Sequence, residues 1–152
     1  MEVYRLLREQ YAGTNPFDGE GSFRFGARWS SVGTRVCYAA AHRSLAILEY
    51  RAHIDPAFMP NDLVIATLLV PDDISIAAPP TLPKNWRRFP PPDSLRAVGD
   101  EFIAGKKSAL MLLPSVLVPE ENNVLINPRH PDARRMLLKP ELVPFSYDAR
   151  LL

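Results

Sequence analysis

Proline is the residue that most limits how this chain folds. The sequence has 152 residues, and 16 of them are prolines. Each proline fixes φ and lacks a backbone N–H, so it interrupts helices and is excluded from central strands. The prolines therefore predict short elements joined by many loops. They are densest in residues 77–93, and we interpret this stretch as a surface connection, because the shorter part beyond it would otherwise have to form a second core alone.

Length and charge narrow the class of protein. A chain of this length suits one domain, which we take as residues 1–152. A net charge of +1 argues against direct binding to nucleic acid and against an enzyme that cleaves RNA. No apolar run is long enough for a membrane span, and the charged start lacks a signal region, so we expect a cytoplasmic protein. The single cysteine, Cys37, is expected to be a small buried residue of a strand.

Hydrophobic periodicity predicts a mixed set of elements. Alternating or continuous apolar residues predict strands at 3–7, 36–39, 63–70, 109–113, 116–118 and 124–126, with a turn at 120–123. A glycine-rich loop is expected at 11–22 and a short strand at 23–25. Helical spacing predicts helices at 44–53 and 94–105, the first with Ser44 as its N-cap. Interleaved strands and helices indicate a single α+β domain.

The first predicted helix carries an acidic residue close to its apolar side. Leu45, Leu48 and Ala52 have the i, i+3, i+7 spacing of one helical face. Glu49 lies next to that face rather than opposite it. We therefore expect Glu49 to face a pocket instead of bulk water.

Familiar catalytic and metal-binding motifs are missing from the sequence. The histidines are scattered, the lone cysteine has no CxxC partner, and no metal is expected. Phosphate-binding loops, dinucleotide fingerprints and nucleophile elbows are also absent. The residues left with chemical interest are Arg28, Tyr38, Glu49 and Ser115. Taken singly, each also suits an ordinary role: a solvated arginine, a core tyrosine, a helix-boundary glutamate and a turn serine.

Two segments of the sequence, taken together, favour functional roles for these residues over the ordinary ones. They are GARWSSVGTRVCYAAAHRSLAILEY, residues 26–50, and LLPSVLVPEENNVLINPRHPDA, residues 112–133. The chain that carries them resembles the RES-domain family of bacterial toxins, and the likeness extends from Tyr4 to the FSYDARL tail. By this resemblance Arg28, Glu49 and Ser115 are the arginine, glutamate and serine of the family signature. Tyr38 matches the tyrosine between the first two, and Asn127 belongs to the segment after the serine.

The resemblance implies a fold like that of the ADP-ribosyltransferases and NAD⁺ as substrate. Members of this family cleave the nicotinamide–ribose bond by hydrolysis or phosphorolysis, or transfer ADP-ribose to a protein. It also implies a partner antitoxin with a helix-turn-helix domain, and it allows a homodimer. The alternative to an enzyme is an inactive member of the family that acts only as a binding partner.

The residue types suit this chemistry. Cleavage of the glycosidic bond builds positive charge on the ribose, which a carboxylate at Glu49 would stabilise. Arginine suits a pyrophosphate, so Arg28 is the first candidate for binding it and Arg5 the second. Tyr38 would pack on the nicotinamide, with its hydroxyl bonded to the ribose or to Glu49. Ser115 would donate a hydrogen bond to the nicotinamide or the ribose, without acting as a nucleophile.

Two further residues have structural interpretations beside the functional ones. Asn127 either contacts NAD⁺ or caps the turn before Pro128. Trp29, next to Arg28, is expected to be a packing anchor that fixes the loop presenting the arginine.

Overall fold

The fold is built on one seven-stranded sheet. The computed structural model describes residues 1–13 and 15–152. The strands are β1 Glu2–Arg8, β2 Cys37–Ala40, β3 Leu63–Leu69, β4 Ile76–Ala77, β5 Leu110–Pro114, β6 Asn122–Ile126 and β7 Glu141–Phe145. Their order across the sheet is β4-β5-β6-β2-β1-β3-β7; β4 pairs with β5 in parallel, and the other pairs among the described residues are antiparallel. This architecture confirms the predicted α+β class.

Four short α-helices accompany the sheet in the described part of the chain. They are α1 Glu20–Phe25, α2 Arg43–His53, α3 Arg96–Gly105 and α4 Pro131–Met136. The longest has 11 residues, as the proline content predicts. Within the residues described, none of the helices has the length and apolar character needed to cross a bilayer.

Several predicted elements are wrong, each for a local reason. Residues 23–25 form the end of α1 rather than a strand, and an ion pair between Arg24 and Glu20, one turn apart, stabilises the helix. Residues 116–118 form a loop, because the N–H groups of Leu117 and Val118 donate to the Ser115 hydroxyl and not to a neighbouring strand. The strands β4 and β7 and the helix α4 were not predicted. The N-cap of α2 is His42 rather than Ser44.

The two faces of the sheet bury different clusters. On one face, residues of β1, β2, β3, β5 and β6 form the largest core with α4 and with Phe17, and Cys37 is buried there as expected. The other face carries α2 and α3. Trp29, Tyr38, Leu125 and Phe102 belong to the cluster at α3, and Ala40, Leu45 and Ala46 form the contact with α2.

Helix α2 is rotated relative to the predicted face. Its buried residues are Leu45 and Ala46, while Leu48 is 43% exposed. The inward side therefore runs through Leu45, Ala46 and Glu49, so the glutamate lies on the buried face and not merely beside it. Two contacts from the C-terminal tail secure the helix: the Tyr147 hydroxyl donates to the carbonyl of Ile47 and Arg51 donates to the carbonyl of Leu151, both at 2.6 Å.

Candidate functional site

Glu49 is the centre of a hydrogen-bond network that joins α2 to the sheet. Its Oε1 accepts from the Ser115 hydroxyl at 2.8 Å and from Asn123 Nδ2 at 2.6 Å. Both donors come from the second half of the chain, at the end of β5 and the start of β6. Within residues 1–13 and 15–152, Oε2 accepts no hydrogen bond. The carboxylate is thus held through one oxygen, and the other remains available to a ligand.

Ser115 is fully engaged by this network. The side chain is inaccessible to solvent, and its hydroxyl accepts from the N–H groups of Leu117 and Val118 at 3.0 and 3.1 Å. Its one hydrogen is directed at Glu49. A hydroxyl has one donor and two acceptor positions, and all three are used. The predicted hydrogen bond from Ser115 to nicotinamide or ribose is therefore replaced by a hydrogen bond to Glu49.

Asn123 is a site residue that the sequence interpretation missed. The sequence predicts a turn at residues 120–123, but Asn123 lies in β6, where it pairs with Ala40 of β2. Alternation along β6 puts Asn123 on the same face as Leu125, which is the face that α2 covers. A polar residue in phase with a buried leucine was the signal that could have identified it.

Arg28 occupies the tip of a tight turn. The turn is closed by backbone hydrogen bonds between Ala27 and Ser30 in both directions, which leaves Arg28 and Trp29 at its two central positions. Trp29 is 3% exposed and packs in the α3 cluster, which confirms its role as an anchor. The neighbouring Arg28 side chain is half-buried, and its Nη1 donates to the carbonyls of Trp86 and Arg88, both at 3.0 Å.

Helix α3 packs against this turn and fixes its position. Gly99 donates its N–H to the Trp29 carbonyl at 2.7 Å, an approach so close that a Cβ on Gly99 would lie 2.2 Å from that oxygen. At the next residue of α3, the Asp100 carboxylate accepts hydrogen bonds from Ser31 N, Ser31 Oγ and Thr34 Oγ1 at 2.6 to 2.9 Å. Burial would raise the pKa of Asp100, but these hydrogen bonds outweigh it and lower the pKa below its usual value.

Tyr38 supports the same turn from the sheet. Its hydroxyl oxygen accepts from Trp29 N at 3.3 Å and lies 2.9 Å from Ser30 Oγ. The expected bond to Glu49 is therefore replaced by contacts to the loop that carries Arg28. Burial raises the pKa of Tyr38 to about 12, so the phenol stays neutral at physiological pH. Its ring remains a candidate for packing against a ligand.

Charge links Arg28 to Glu49. Burial lowers the pKa of Arg28, and the negative charge of Glu49 acts in the opposite direction. The negative charge of Glu49 therefore favours the charged form of Arg28. Two surface concavities of about 320 and 180 Å³ lie elsewhere, near Asp62 and Phe145 and near Phe102 and Met111, and neither Arg28 nor Glu49 is among their lining residues. The hydrogen-bond network, rather than the depth of a concavity, identifies the site.

Arg5 and Asn127 lie away from this network. Arg5 is on the opposite face of the sheet, where Nη1 donates to the Pro16 carbonyl at 2.5 Å and contacts Cys37 Sγ at 3.4 Å. Asn127 follows the far end of β6 from Asn123. Its Oδ1 accepts from Arg129 N at 3.1 Å, which is the turn cap that the sequence offered as its structural role. Neither residue reaches Glu49.

A segment of the proline-rich connection borders the site. We call residues 83–88 the strap. Two overlapping turns shape it, with Trp86 N donating to Pro83 O and Arg88 N to Asn85 O. The half-buried Trp86 ring packs at 6.3 Å from that of Trp29. Besides the carbonyls that bind Arg28, the strap supplies Arg87, whose Nη2 donates to the Val116 carbonyl at 3.1 Å.

Known proteins are similar to this one over nearly the whole chain. A family model described as RES domain matches residues 2–148. The Prs ADP-ribosylating toxin of Sphingobium sp. (strain YBL2) is 36% identical over 138 residues, which cover 88% of this chain and 85% of that protein. Toxin Res of Yersinia enterocolitica serotype O:8 is 33% identical over 152 residues, covering 99% of both chains.

A solved structure has the same fold at lower sequence identity. The crystal structure of the M. tuberculosis MbcT–MbcA toxin–antitoxin complex matches with a TM-score of 0.72 and 17% identity. The match covers 95% of this chain and 84% of that chain. At this identity the likeness concerns the fold alone.

Proposed function

The chain belongs to the RES domain family, and on that premise we propose that it is a toxin of a toxin–antitoxin pair that consumes NAD⁺. The reaction is cleavage of the bond between nicotinamide and ribose, with water or phosphate as the acceptor. Glu49 and Arg28 would contact the substrate, and the ring of Tyr38 would pack on the nicotinamide. Residues 1–152 act as a single RES domain in this proposal.

One observation carries the proposal: Glu49 is anchored through Oε1 and presents Oε2. Two hydrogen bonds to Oε1 orient the carboxylate before any ligand arrives. A carboxylate oriented in this way stabilises positive charge as it develops on a ribose, without a reorganisation cost at the moment of reaction. Ser115 and Asn123 are therefore positioning residues, since they act on the substrate only through Glu49.

The chemical step needs no covalent intermediate on the protein. As the glycosidic bond breaks, its electron pair leaves with nicotinamide, whose ring becomes neutral. The ribose becomes oxocarbenium-like, and the Glu49 carboxylate stabilises it until water or phosphate adds. Water yields ADP-ribose and a proton, whereas phosphate yields a phosphorylated ADP-ribose.

Product analysis tests the proposal. Purified protein, freed of any antitoxin, is incubated with NAD⁺ with and without inorganic phosphate, and nicotinamide and the ribose product are separated by chromatography. We expect free nicotinamide in both cases or in the phosphate arm alone, which distinguishes hydrolysis from phosphorolysis. NAD⁺ that stays intact in both arms would overturn the proposed reaction.

A second candidate reaction is transfer of ADP-ribose to a cellular protein. The Sphingobium relative, which is named an ADP-ribosylating toxin and is 36% identical, favours this reaction. Both reactions share the same cleavage and the same use of Glu49, and they differ only in the acceptor. NAD⁺ labelled in its adenine half would label a protein band in a cell extract under this alternative, and little free ADP-ribose would form.

The partner follows from the same premise. We propose that a cognate antitoxin with a helix-turn-helix domain neutralises the protein in the cytoplasm, and that the toxin forms a homodimer. Light scattering of the isolated chain would test the dimer.

Titration calorimetry tests the alternative of an inactive binding partner. A result showing neither NAD⁺ binding nor turnover would favour that alternative.

A further inference from the structure

Arg87 is an exposed arginine that contacts the loop beside the candidate catalytic centre. Its Nη2 donates to the carbonyl of Val116 at 3.1 Å. Val116 directly follows Ser115, whose hydroxyl binds Glu49. This contact ties a guanidinium from the proline-rich connection to the residue that follows Ser115.

The strap holds Arg87 in place through its neighbours on both sides. The carbonyls of Trp86 and Arg88 both accept from Arg28 Nη1, and the Trp86 ring packs against Trp29. The backbone at Arg87 is therefore fixed between two anchored residues, and little backbone entropy remains to be lost when its side chain binds a ligand.

Arg28 and Arg87 each use a single terminal nitrogen to contact the protein. Arg28 is tied through Nη1 and Arg87 through Nη2. For the part of the chain that the structure describes, the other N–H groups of both guanidinium groups have no protein acceptor. Arg87 belongs to the strap and Arg28 is bonded to its backbone. Two such arginines, each with free donors, match the recognition of a diphosphate better than a single arginine does.

We propose that Arg87 joins Arg28 in binding the pyrophosphate of the substrate, so that the strap selects dinucleotides. This inference rests on the proposed function, because it names the part of NAD⁺ that the strap contacts. It also replaces Arg5, which lies on the far face of the sheet, as the second pyrophosphate ligand.

A substrate lacking phosphate separates this role from general effects of charge. Arg87→Gln should raise the KM for NAD⁺ about tenfold with little change in kcat, as expected for the loss of one charged hydrogen bond. Turnover of nicotinamide riboside, which has no phosphate, should not change. The matched control is Lys84→Gln, which removes the same charge from an exposed position of the same strap. It should change the KM for NAD⁺ less than about twofold.

The result that overturns the inference is an equal effect of the two variants on the KM for NAD⁺, or an equal effect of Arg87→Gln on both substrates. Binding of ADP-ribose, measured by calorimetry, gives a readout that does not need turnover. If the wild type leaves NAD⁺ intact but binds ADP-ribose about tenfold more tightly than Arg87→Gln does, the proposed reaction fails and this inference stands. A wild-type protein that does not bind ADP-ribose would overturn the inference directly.

Discussion

Ser115 gives its only hydroxyl hydrogen to Glu49, with 2.8 Å between Ser115 Oγ and Glu49 Oε1 across 66 positions of the sequence. The serine is thus committed to orienting a carboxylate and has no hydrogen left for a substrate. This relationship makes it a positioning residue, and it distinguishes the site from one that works through a serine nucleophile.

Ser115→Ala should lower kcat about 10- to 100-fold while leaving measurable turnover, because Glu49 would keep only the hydrogen bond from Asn123. The variant should also lose about 1–3 kcal/mol of stability, since the N–H groups of Leu117 and Val118 lose their acceptor. Steady-state kinetics and urea unfolding measure the two effects. Detection of a ribosyl adduct on Ser115 by mass spectrometry would contradict the positioning role.

Glu49→Gln should reduce turnover by at least about 100-fold. The amide oxygen can still accept from Ser115 and Asn123, so the structure is preserved while the negative charge beside the ribose is lost. The thermal unfolding midpoint should stay close to that of the wild type. Turnover at the wild-type level in this variant would exclude the carboxylate as the group that stabilises the ribose.

Arg28→Ala and Trp29→Ala should have opposite effects although the residues are adjacent. Arg28→Ala should weaken NAD⁺ turnover more than it weakens folding, because the side chain is half-buried and its protein contacts are two backbone carbonyls. Trp29→Ala removes a ring that is 97% buried and should cost about 3–5 kcal/mol of stability. Kinetics and denaturant unfolding of both variants make the comparison, and equal unfolding curves would refute it.

Gly99→Ala should destabilise the protein by about 1–3 kcal/mol, because the new Cβ would meet the Trp29 carbonyl at 2.2 Å and push the Arg28 turn away from α3. Gly105 provides the control on the same helix. A Cβ there meets no atom within 4 Å, so Gly105→Ala should be neutral or slightly stabilising. Unfolding free energies of the two variants test the prediction, and similar values would contradict it.

Protonation of Asp100 at low pH should lower the stability of the folded chain. Its pKa is lower in the folded chain than in the unfolded chain, where it is about 3.9. The stabilisation is therefore fully present above that value and is lost as the pH falls through the lower folded pKa. The difference in unfolding free energy between wild type and Asp100→Asn should shrink as the pH is lowered from 7 to 3. A difference that stays constant with pH would show that the Asp100 charge does not hold the turn.

Strong local patterns made several elements predictable from the sequence. The strands β1, β2, β3 and β5 and the helices α2 and α3 follow apolar periodicity, and the structure confirms them within a few residues. The candidate site residues Arg28, Tyr38, Glu49 and Ser115 gained their weight from the family resemblance, and the substrate-binding roles of Arg28, Tyr38 and Glu49 stay predictions. The structure brings Glu49 and Ser115 into direct contact and places Arg28 within the electrostatic influence of Glu49.

The missed features depend on contacts between distant parts of the chain. Strand β7 contains Pro144, which is tolerated because β7 is an edge strand paired with β3 alone. Asn123 looked like a turn residue because its partner, Glu49, is 74 positions away. The rotation of α2 that turns Glu49 inward and exposes Leu48 goes with the packing of Leu45 and Ala46 on Ala40, and the spacing of apolar residues in the helix does not encode it.

The contacts between the C-terminal tail and α2 have a consequence for the order of biosynthesis. Each of the hydrogen bonds Tyr147–Ile47 and Arg51–Leu151 spans 100 positions of the chain. A ribosome therefore releases the helix that bears Glu49 long before it releases the residues that secure this helix. Asn123 and Ser115 also emerge well after the carboxylate that they orient. A nascent chain therefore carries Glu49 without the groups that orient its carboxylate and secure its helix until Ser115, Asn123, Tyr147 and Leu151 have been synthesised.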